Sequence, residues 1–256
     1  MKCRICNGES NWAFKSIILG DLEIDYFFCD NCGFLQTEEP YWLGRAYINP
    51  INIEDTGILS RNIRLRNITS AIIWLLFNKQ GQFLDYGGGH GIFTRLMRDT
   101  GYDFYWTDKY AENIFSRGFE YKQGDDIELI TCFECFEHLE EPQTTIEAML
   151  RISRNILFST EILPVPVPSP SDWWYYGLSH GQHISFYSLK TLQYIADKYG
   201  LNLYSLGDIH LLTENKVSIV KKTLLKPAYK ASYLESFRIK TQSKAIEDMN
   251  YIISSK

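Results

Sequence analysis

The chain has 256 residues and carries 26 Lys and Arg against 31 Asp and Glu, a formal charge of -5. It therefore lacks the clustered positive field with which a nucleic-acid-binding domain meets phosphates. Its longest apolar run, 71–77, falls far short of the roughly 20 residues a membrane helix needs, and the polar start around Cys3 does not read as a secretion signal. A cytoplasmic protein with a small-molecule substrate is expected, with neither nucleic acid nor membrane as partner. The length allows a complete α/β core plus one accessory module.

The accessory comes first. Cys3 and Cys6, then Cys29 and Cys32, form two C-x-x-C pairs, each able to present two thiolates from a tight knuckle and together able to close a tetrahedral structural zinc site. Asn7-Gly8 after Cys6 and Gly33 after Cys32 tolerate the positive φ such knuckles require. Residues 1–40 are expected to form a zinc-ribbon-like module with strands at 14–18 and 25–29. A chain able to build a core does not need its six cysteines as a disulfide framework. The remaining pair, Cys132 and Cys135, lies in an apolar run where a thiol ordinarily packs. Residues 41–80 are expected to link the module to the main domain. They read as irregular over 41–56 and as a helix over 59–77, where Leu59, Ile63, Ile68, Ile72, Leu75 and Leu76 recur close to helical spacing. Such a helix can flank a cofactor pocket.

From 81 to 222 the pattern alternates: strand 83–86, helix through 98, strand 103–107, helix 111–116, strand 128–133, helix 144–152, strand 155–159. Alternation of this kind means a parallel sheet covered on both faces. Pro164, Pro166, Pro168 and Pro170 rule out a central strand there. They make a semi-rigid arm leading into Trp173-Trp174-Tyr175-Tyr176, read either as a packed lid or as a stacking platform for a planar or sugar ring. A helix over 189–199 and strands over 201–206 and 217–221 follow, and residues 223–256 are expected to form a polar helical tail.

The chemistry concentrates first in Asp85-Tyr86-Gly87-Gly88-Gly89-His90-Gly91, between Phe83-Leu84 and the amphipathic run Ile92, Phe93, Leu96, Met97. A strand, a glycine turn and a helix start let backbone amides approach a charged small molecule. A dinucleotide fingerprint wants glycine or alanine three residues after Gly89, and Ile92 stands there, which argues against NAD. Asp85 with Gly87, Gly88, Gly89 and Gly91 resembles motif I of the class I S-adenosylmethionine (SAM)-dependent methyltransferases, whose loop wraps the methionine end of the cofactor. That resemblance implies a Rossmann-like α/β fold, a seven-stranded sheet closed by a hairpin of the last two strands, and SAM as cofactor. Ligands of open α/β sheets sit beyond the carboxyl ends of the strands. Asp108, seventeen positions past Gly91, stands where a carboxylate can accept from both ribose hydroxyls. Asp125 or Asp126 is placed to accept from the adenine amino group, and Phe133, at the end of its strand, is assigned to the same cofactor site.

The run Leu129-Ile-Thr-Cys-Phe-Glu-Cys-Phe-Glu-His-Leu-Glu-Glu-Pro142 resembles motif IV of the methyltransferase branch whose fourth strand enters an E-x-x-E-H sequence. In some members, the ubiquinone-pathway O-methyltransferases and the small-RNA 2′-O-methyltransferases, that spacing holds a metal. Glu134, Glu137 and His138 are accordingly candidate ligands for a divalent cation such as Mg2+, which would help deprotonate a substrate hydroxyl. Alternatively, Glu137 and His138 only cap and orient the loop. His183-Ile-Ser-Phe-Tyr-Ser-Leu is similar to the E-H-x-S-x-F-S segment of sugar C-methyltransferases that also begin with a four-cysteine zinc module. There a Glu-His pair does acid/base work on a nucleotide-linked sugar; here Gln182 takes the glutamate's place and the long second half of those enzymes is missing. His183 is the expected general base, with Glu137 and His138 beside it as catalytic candidates, and a metal ligand or a packed histidine as its alternative roles. The implied substrate is a small hydroxylated molecule, a sugar or nucleotide-linked sugar, with a phenolic or quinone-like acceptor or a non-catalytic SAM-fold binding module as the competing readings.

Overall fold

The computed structural model describes residues 1–48, 56–232 and 251. The chain begins with three antiparallel strands, β1 (Asn11–Ile18), β2 (Leu22–Phe28) and β3 (Phe34–Thr37), then a one-turn helix α1 (Leu43–Ala46) and the long α2 (Ile58–Leu76). Alternation follows through β4 (Gln82–Tyr86), α3 (Ile92–Asp99), β5 (Asp103–Thr107), β6 (Ile127–Cys132), α4 (Pro142–Ile152) and β7 (Asn155–Ser159). The chain continues with β8 (Ser185–Tyr187), α5 (Leu189–Tyr199), β9 (Asn202–Leu206), β10 (Ile209–Thr213) and α6 (Ile219–Ala231). Within the described residues these elements form two compact units. One is drawn from Met1–Asp55, Phe133–Arg151 and Phe158–Glu214, the other from Thr56–Cys132, Ile152–Leu157 and Asn215–Lys256.

The main sheet has the order β5-β4-β6-β7-β10-β9. β4 runs parallel to both β5 and β6, and β9 pairs antiparallel with β10. Phe83, Leu84, Leu129 and Ile130 have no exposed surface, the near-continuous apolar character of strands covered on both faces. Among the described residues the sheet has six strands where seven were expected. A single parallel bridge from Trp106 to Glu120 lies where β5 could take another neighbour. Its hydrogen bonds, Trp106 N–H to Phe119 O and Tyr121 N–H to Trp106 O, are both 2.8 Å. Gly118 and Gly124, both at positive φ, bracket the bridge and stop it from lengthening.

Two further expectations are corrected. Residues 217–221 do not form a strand: Ser218 caps α6 by accepting from the Lys221 amide, and β10 takes the place beside β9. The apolar residues Val217, Ile219 and Val220 suit a strand, but a serine three residues before a lysine pair is equally a helix start. Residues 111–116 form no helix either. Asp108 Oδ1 accepts from the Tyr110 and Ala111 amides and Asn113 Oδ1 from the Ser116 amide, so side-chain acceptors replace the helical carbonyls. The tail expected over 223–256 is helical through Ala231; positions 233–250 and 252–256 lie outside the described residues, as do 49–55 of the expected irregular stretch.

A second sheet, β1-β2-β3-β8, contains the first three strands and a fourth contributed from far along the chain. Phe34, Leu35 and Gln36 pair with Tyr187, Phe186 and Ser185, so the expected 1–40 module shares its sheet with residues 185–187. Its core joins Ile18, Ile24, Tyr26 and Leu35 to Trp42, Tyr175, Tyr176, Ile184 and Phe186. Each such side chain contributes about 1.5–3 kcal/mol by leaving water. α5 leaves this sheet through a capping box at Ser188 and Thr191 and ends on Gly200 in the left-handed region.

Candidate functional site

The glycine loop is built almost wholly from residues near it in sequence. Gly87, Gly89 and Gly91 have φ of 71°, 53° and 85°, values that side-chain-bearing residues rarely adopt. Their amides turn inward: Gly87 and Gly88 donate to Thr107 O at 2.9 and 3.1 Å, Gly91 to Gly88 O at 2.9 Å, and Gly89 to Asp108 Oδ2 at 2.9 Å. These four amides are thus engaged within the protein, and at Gly89 the loop presents a bare Cα. A Cβ on Gly89 would meet nothing within 4 Å, whereas one on Gly88 would lie 2.7 Å from Asp85 Oδ2 and from Trp106 Cδ1. Gly88 is therefore needed for close packing beneath the loop, and Gly89 leaves room above it.

Asp85 is 3% exposed and accepts from Thr94 Oγ1 at 2.9 Å and Thr131 Oγ1 at 3.3 Å. Burial pushes its carboxyl up to about 7 despite those bonds. It links the end of β4 to α3 and β6. Asp108 holds three amides, Gly89 at Oδ2 and Tyr110 and Ala111 at Oδ1, so it shapes the loop with the same carboxylate expected to meet ribose. Trp106, which the spacing did not single out, donates its indole N–H to Gly89 O at 2.9 Å. Asp125 is half-buried and accepts from the Lys122 amide at 3.0 Å, Asp126 is exposed, and Phe133 is half-buried directly after β6.

The four N-terminal cysteines converge. Cys3 Sγ lies 3.5 Å from Cys32 Sγ, Cys6 Sγ 3.5 Å from Cys29 Sγ, and all four sulfurs lie within 4.8 Å of one another, with no disulfide among them. A tetrahedron of thiolates 2.3 Å from a zinc has edges of roughly 3.8 Å, so the donor set fits that ion. The knuckles have the expected form, with Asn7 and Gly33 at φ of 59° and 76°. Ile5 N–H donates to Cys3 Sγ at 3.4 Å. The hydrogen bond from Cys32 draws the Cys3 thiol below its usual range.

A second convergence lies in the same unit. Ligand atoms of Glu137, His138 and His183 fall within 4.8 Å of one another. The His138 and His183 rings are 4.9 Å apart. His138 Nδ1 is 3.0 Å from Gln182 O and His183 Nδ1 is 2.6 Å from Tyr175 O. A carbonyl can only accept, so each ring carries its proton on Nδ1 and leaves the Nε2 lone pair free, that of His138 lying 4.0 Å from Glu137 Oε1. Burial lowers both: His138 to about 4, and His183 well below its usual value, so both rings are neutral at pH 7. Glu137 is 1% exposed, and its Oε2 has no hydrogen-bond partner among the described residues. Burial first, and the neighbouring Glu134 second, push its carboxyl well up.

Glu134 stands apart from that convergence. Its side chain is exposed and accepts from Ser159 Oγ at 2.7 Å, while its own amide donates to the same hydroxyl at 2.8 Å. Its φ of 51° is strained for a residue with a Cβ, the kind of conformation concentrated at functional sites. Spacing thus grouped Glu134 with Glu137 and His138, whereas the fold groups His183 with them. Tyr47, whose hydroxyl is 3.1 Å from His138 Nδ1, carried no sequence signal, and Tyr175 of the aromatic run brings its ring to 4.8 Å from His183. Of the aromatic run, Tyr175 and Tyr176 are buried and Trp173 packs on Tyr176 and Phe186, which leaves Trp174, 76% exposed, as the one ring presented to solvent.

Residues 61–206, more than half of the chain, match the family model described as a methyltransferase domain, and the chain belongs to this family of enzymes. No curated protein matches it. Among solved structures it is similar to an O-methyltransferase family protein from Burkholderia thailandensis, at 12% identity over 67% of this chain and 61% of that one, with a TM-score of 0.46. It is also similar to magnesium protoporphyrin IX methyltransferase from Synechocystis PCC 6803 with bound SAM, at 13% identity over 68% and 90% of the two chains and a TM-score of 0.39. A third is a methyltransferase of calicheamicin biosynthesis, at 13% identity over 68% and 60% and a TM-score of 0.44. The chain thus spans about six-tenths of the first of these proteins. No helix among the described residues is long and apolar enough to cross a membrane.

Proposed function

We propose that the protein is a SAM-dependent methyltransferase that methylates a hydroxyl of a small molecule, on the resemblance a sugar or nucleotide-linked sugar, with a structural zinc in the four-cysteine knuckle. The family match and the side-chain-free surface above Gly89 support SAM at the glycine loop, with Asp108 completing the ribose contact. Bound SAM supplies a methyl group on a sulfonium, so the protein must orient the acceptor and remove its proton as the O–CH3 bond forms and the S–CH3 bond breaks.

The observation that carries the acceptor chemistry is the meeting of two neutral imidazoles, each with its proton on Nδ1, and one buried carboxylate oxygen lacking a partner among the described residues. Backbone carbonyls behind the Nδ1 atoms fix the tautomers, as carbonyls do for metal-binding histidines. Glu137, His138 and His183 would hold a divalent cation, which lowers the pKa of a coordinated hydroxyl. Gln182 favours O- over C-methylation: its side chain, 6% exposed, is engaged with Ala46 O at 2.9 Å and has no basic atom to offer.

Metal analysis is expected to find one zinc per chain, and a zinc-free protein purified without chelators refutes the knuckle. Chelation that leaves this zinc in place is expected to abolish turnover, and magnesium or manganese to restore it, with SAM affinity by calorimetry unchanged. Chelator-resistant turnover assigns the proton to His183 Nε2 alone.

A further inference from the structure

The cysteine knuckle and the histidine–carboxylate cluster lie far apart in sequence but are joined by the β3–β8 pairing and, from inside the knuckle itself, by Arg4. Between Cys3 and Cys6, the Arg4 side chain reaches three carbonyls: Thr37 O at 2.9 Å, Glu38 O at 2.8 Å and Ile184 O at 3.5 Å. Its amide donates to Gln36 Oε1 at 2.8 Å, and Gln36 Nε2 returns a bond to Lys2 O at 2.8 Å. Ile184 immediately follows His183. Its carbonyl also accepts from the Thr37 amide at 3.2 Å, and its amide donates to Glu137 O at 2.8 Å. The next strand residues hold the same turn: Ser185 Oγ donates to Leu139 O at 2.7 Å and Tyr187 Oη to Phe136 O at 3.0 Å. Both halves of the cluster thus hang from β8, and β8 is fastened to the knuckle.

The three acceptors of the Arg4 side chain are neutral carbonyls, while Glu39, Glu140 and Cys3 favour its charge from further off. What the guanidinium supplies is a rigid planar fork that fixes three acceptors at once, which a lysine cannot reproduce. We propose that Arg4 is a positioning residue that sets the spacing of Glu137 and His183 by locking β8 to the four-cysteine knuckle, so that metal in the knuckle governs the order of the cluster. The coupling is geometric and rests on the methyltransferase reading only for its effect on turnover.

The test compares the zinc-loaded wild type with Arg4→Met and Arg4→Lys. In both variants zinc content and SAM affinity are expected to stay at wild-type values, because the cysteines and the glycine loop are untouched. Turnover is expected to fall at least tenfold in Arg4→Met with KM for SAM unchanged, and Arg4→Lys to recover less than half of the loss. The 15N shifts of the His183 ring are expected to move from the single Nδ1–H tautomer toward a mixture, and the Ile184 amide to exchange with deuterium faster. Ring shifts and Ile184 exchange like those of wild type in Arg4→Met would overturn the proposal whatever happens to turnover. If Arg4→Met does not fold, wild type stripped of its knuckle zinc serves: faster Ile184 exchange supports the coupling and unchanged exchange overturns it. Altered ring shifts with no methyl transfer in any sample would instead leave the coupling standing and remove the methyltransferase reading.

Discussion

The glycine-loop unit and the cysteine–histidine unit reach their sites by opposite routes. In the first, the partners lie within about one strand–turn–helix of each other: Gly87 and Gly88 with Thr107, Gly89 with Trp106 and Asp108, Asp85 with Thr94. In the second, Trp42 donates to Gly181 O, Gln182 to Ala46 O and Arg4 to Ile184 O, each pair separated by more than 130 residues. A site of the first kind survives distant changes because its geometry is enforced by backbone conformation. A site of the second kind depends on the whole sheet that carries it. Substitutions are therefore expected to act locally in one unit and to propagate in the other.

The largest effect is expected at His183. His183→Ala is predicted to lower turnover by about 100- to 10,000-fold, the range for losing the group that handles the substrate proton, with SAM affinity unchanged. Stopped assays paired with calorimetry check this; a weakened SAM affinity would break the contrast between the units by showing that damage to one reaches the other.

Next comes the buried carboxylate beneath the loop. Because the Asp85 pKa is raised from 3.8 to about 7, the folded protein binds this proton more tightly than the unfolded chain. That contribution is complete below about pH 4 and is lost as pH rises toward 7. Three pH units correspond to at most about 4 kcal/mol. Asp85→Asn cannot titrate, so the difference in unfolding free energy between wild type and variant is expected to slope downward from pH 4.5 to 7.5 in urea titrations. A flat difference curve would show that Asp85 is ionised throughout.

Asp108→Ala is predicted to weaken SAM binding by about 10- to 100-fold, the worth of one or two charge-assisted hydrogen bonds. The same change releases the Gly89, Tyr110 and Ala111 amides, so their hydrogen exchange is expected to quicken while that of residues 184–187 does not. Faster exchange in both places would erase the distinction drawn above. The smallest effect is expected at His180, whose ring lies 4.7 Å from His183 but outside the set of converging ligand atoms. His180→Ala is predicted to change turnover by less than about fivefold, in keeping with a contact worth no more than about 1 kcal/mol.

Local sequence was enough for the cysteine knuckles, the glycine turn, the acid after β5 and the alternation that makes a parallel sheet. Each is a short-range constraint: C-x-x-C spacing, positive φ at glycine, and apolar period are properties of ten or fewer neighbouring residues. α5 was legible for the same reason, since Ser188 and Gly200 mark its two ends. Short-range reading failed where a pattern admitted two outcomes, as at Val217 and Ile219, or where side-chain acceptors displaced a helix, as at Asp108 and Asn113. β3 and β8 emerge only in the folded sheet, because strands of four and three residues depend on their partners, β2 and β8 for the one and β3 for the other. The tertiary structure also brought His183 to Glu137 and His138. Glu134, bonded to Ser159, stays near enough to Glu137 to raise its carboxyl but outside the set of converging ligand atoms. His183 arrives through β8, whose backbone pairing has no trace in the local sequence on either side.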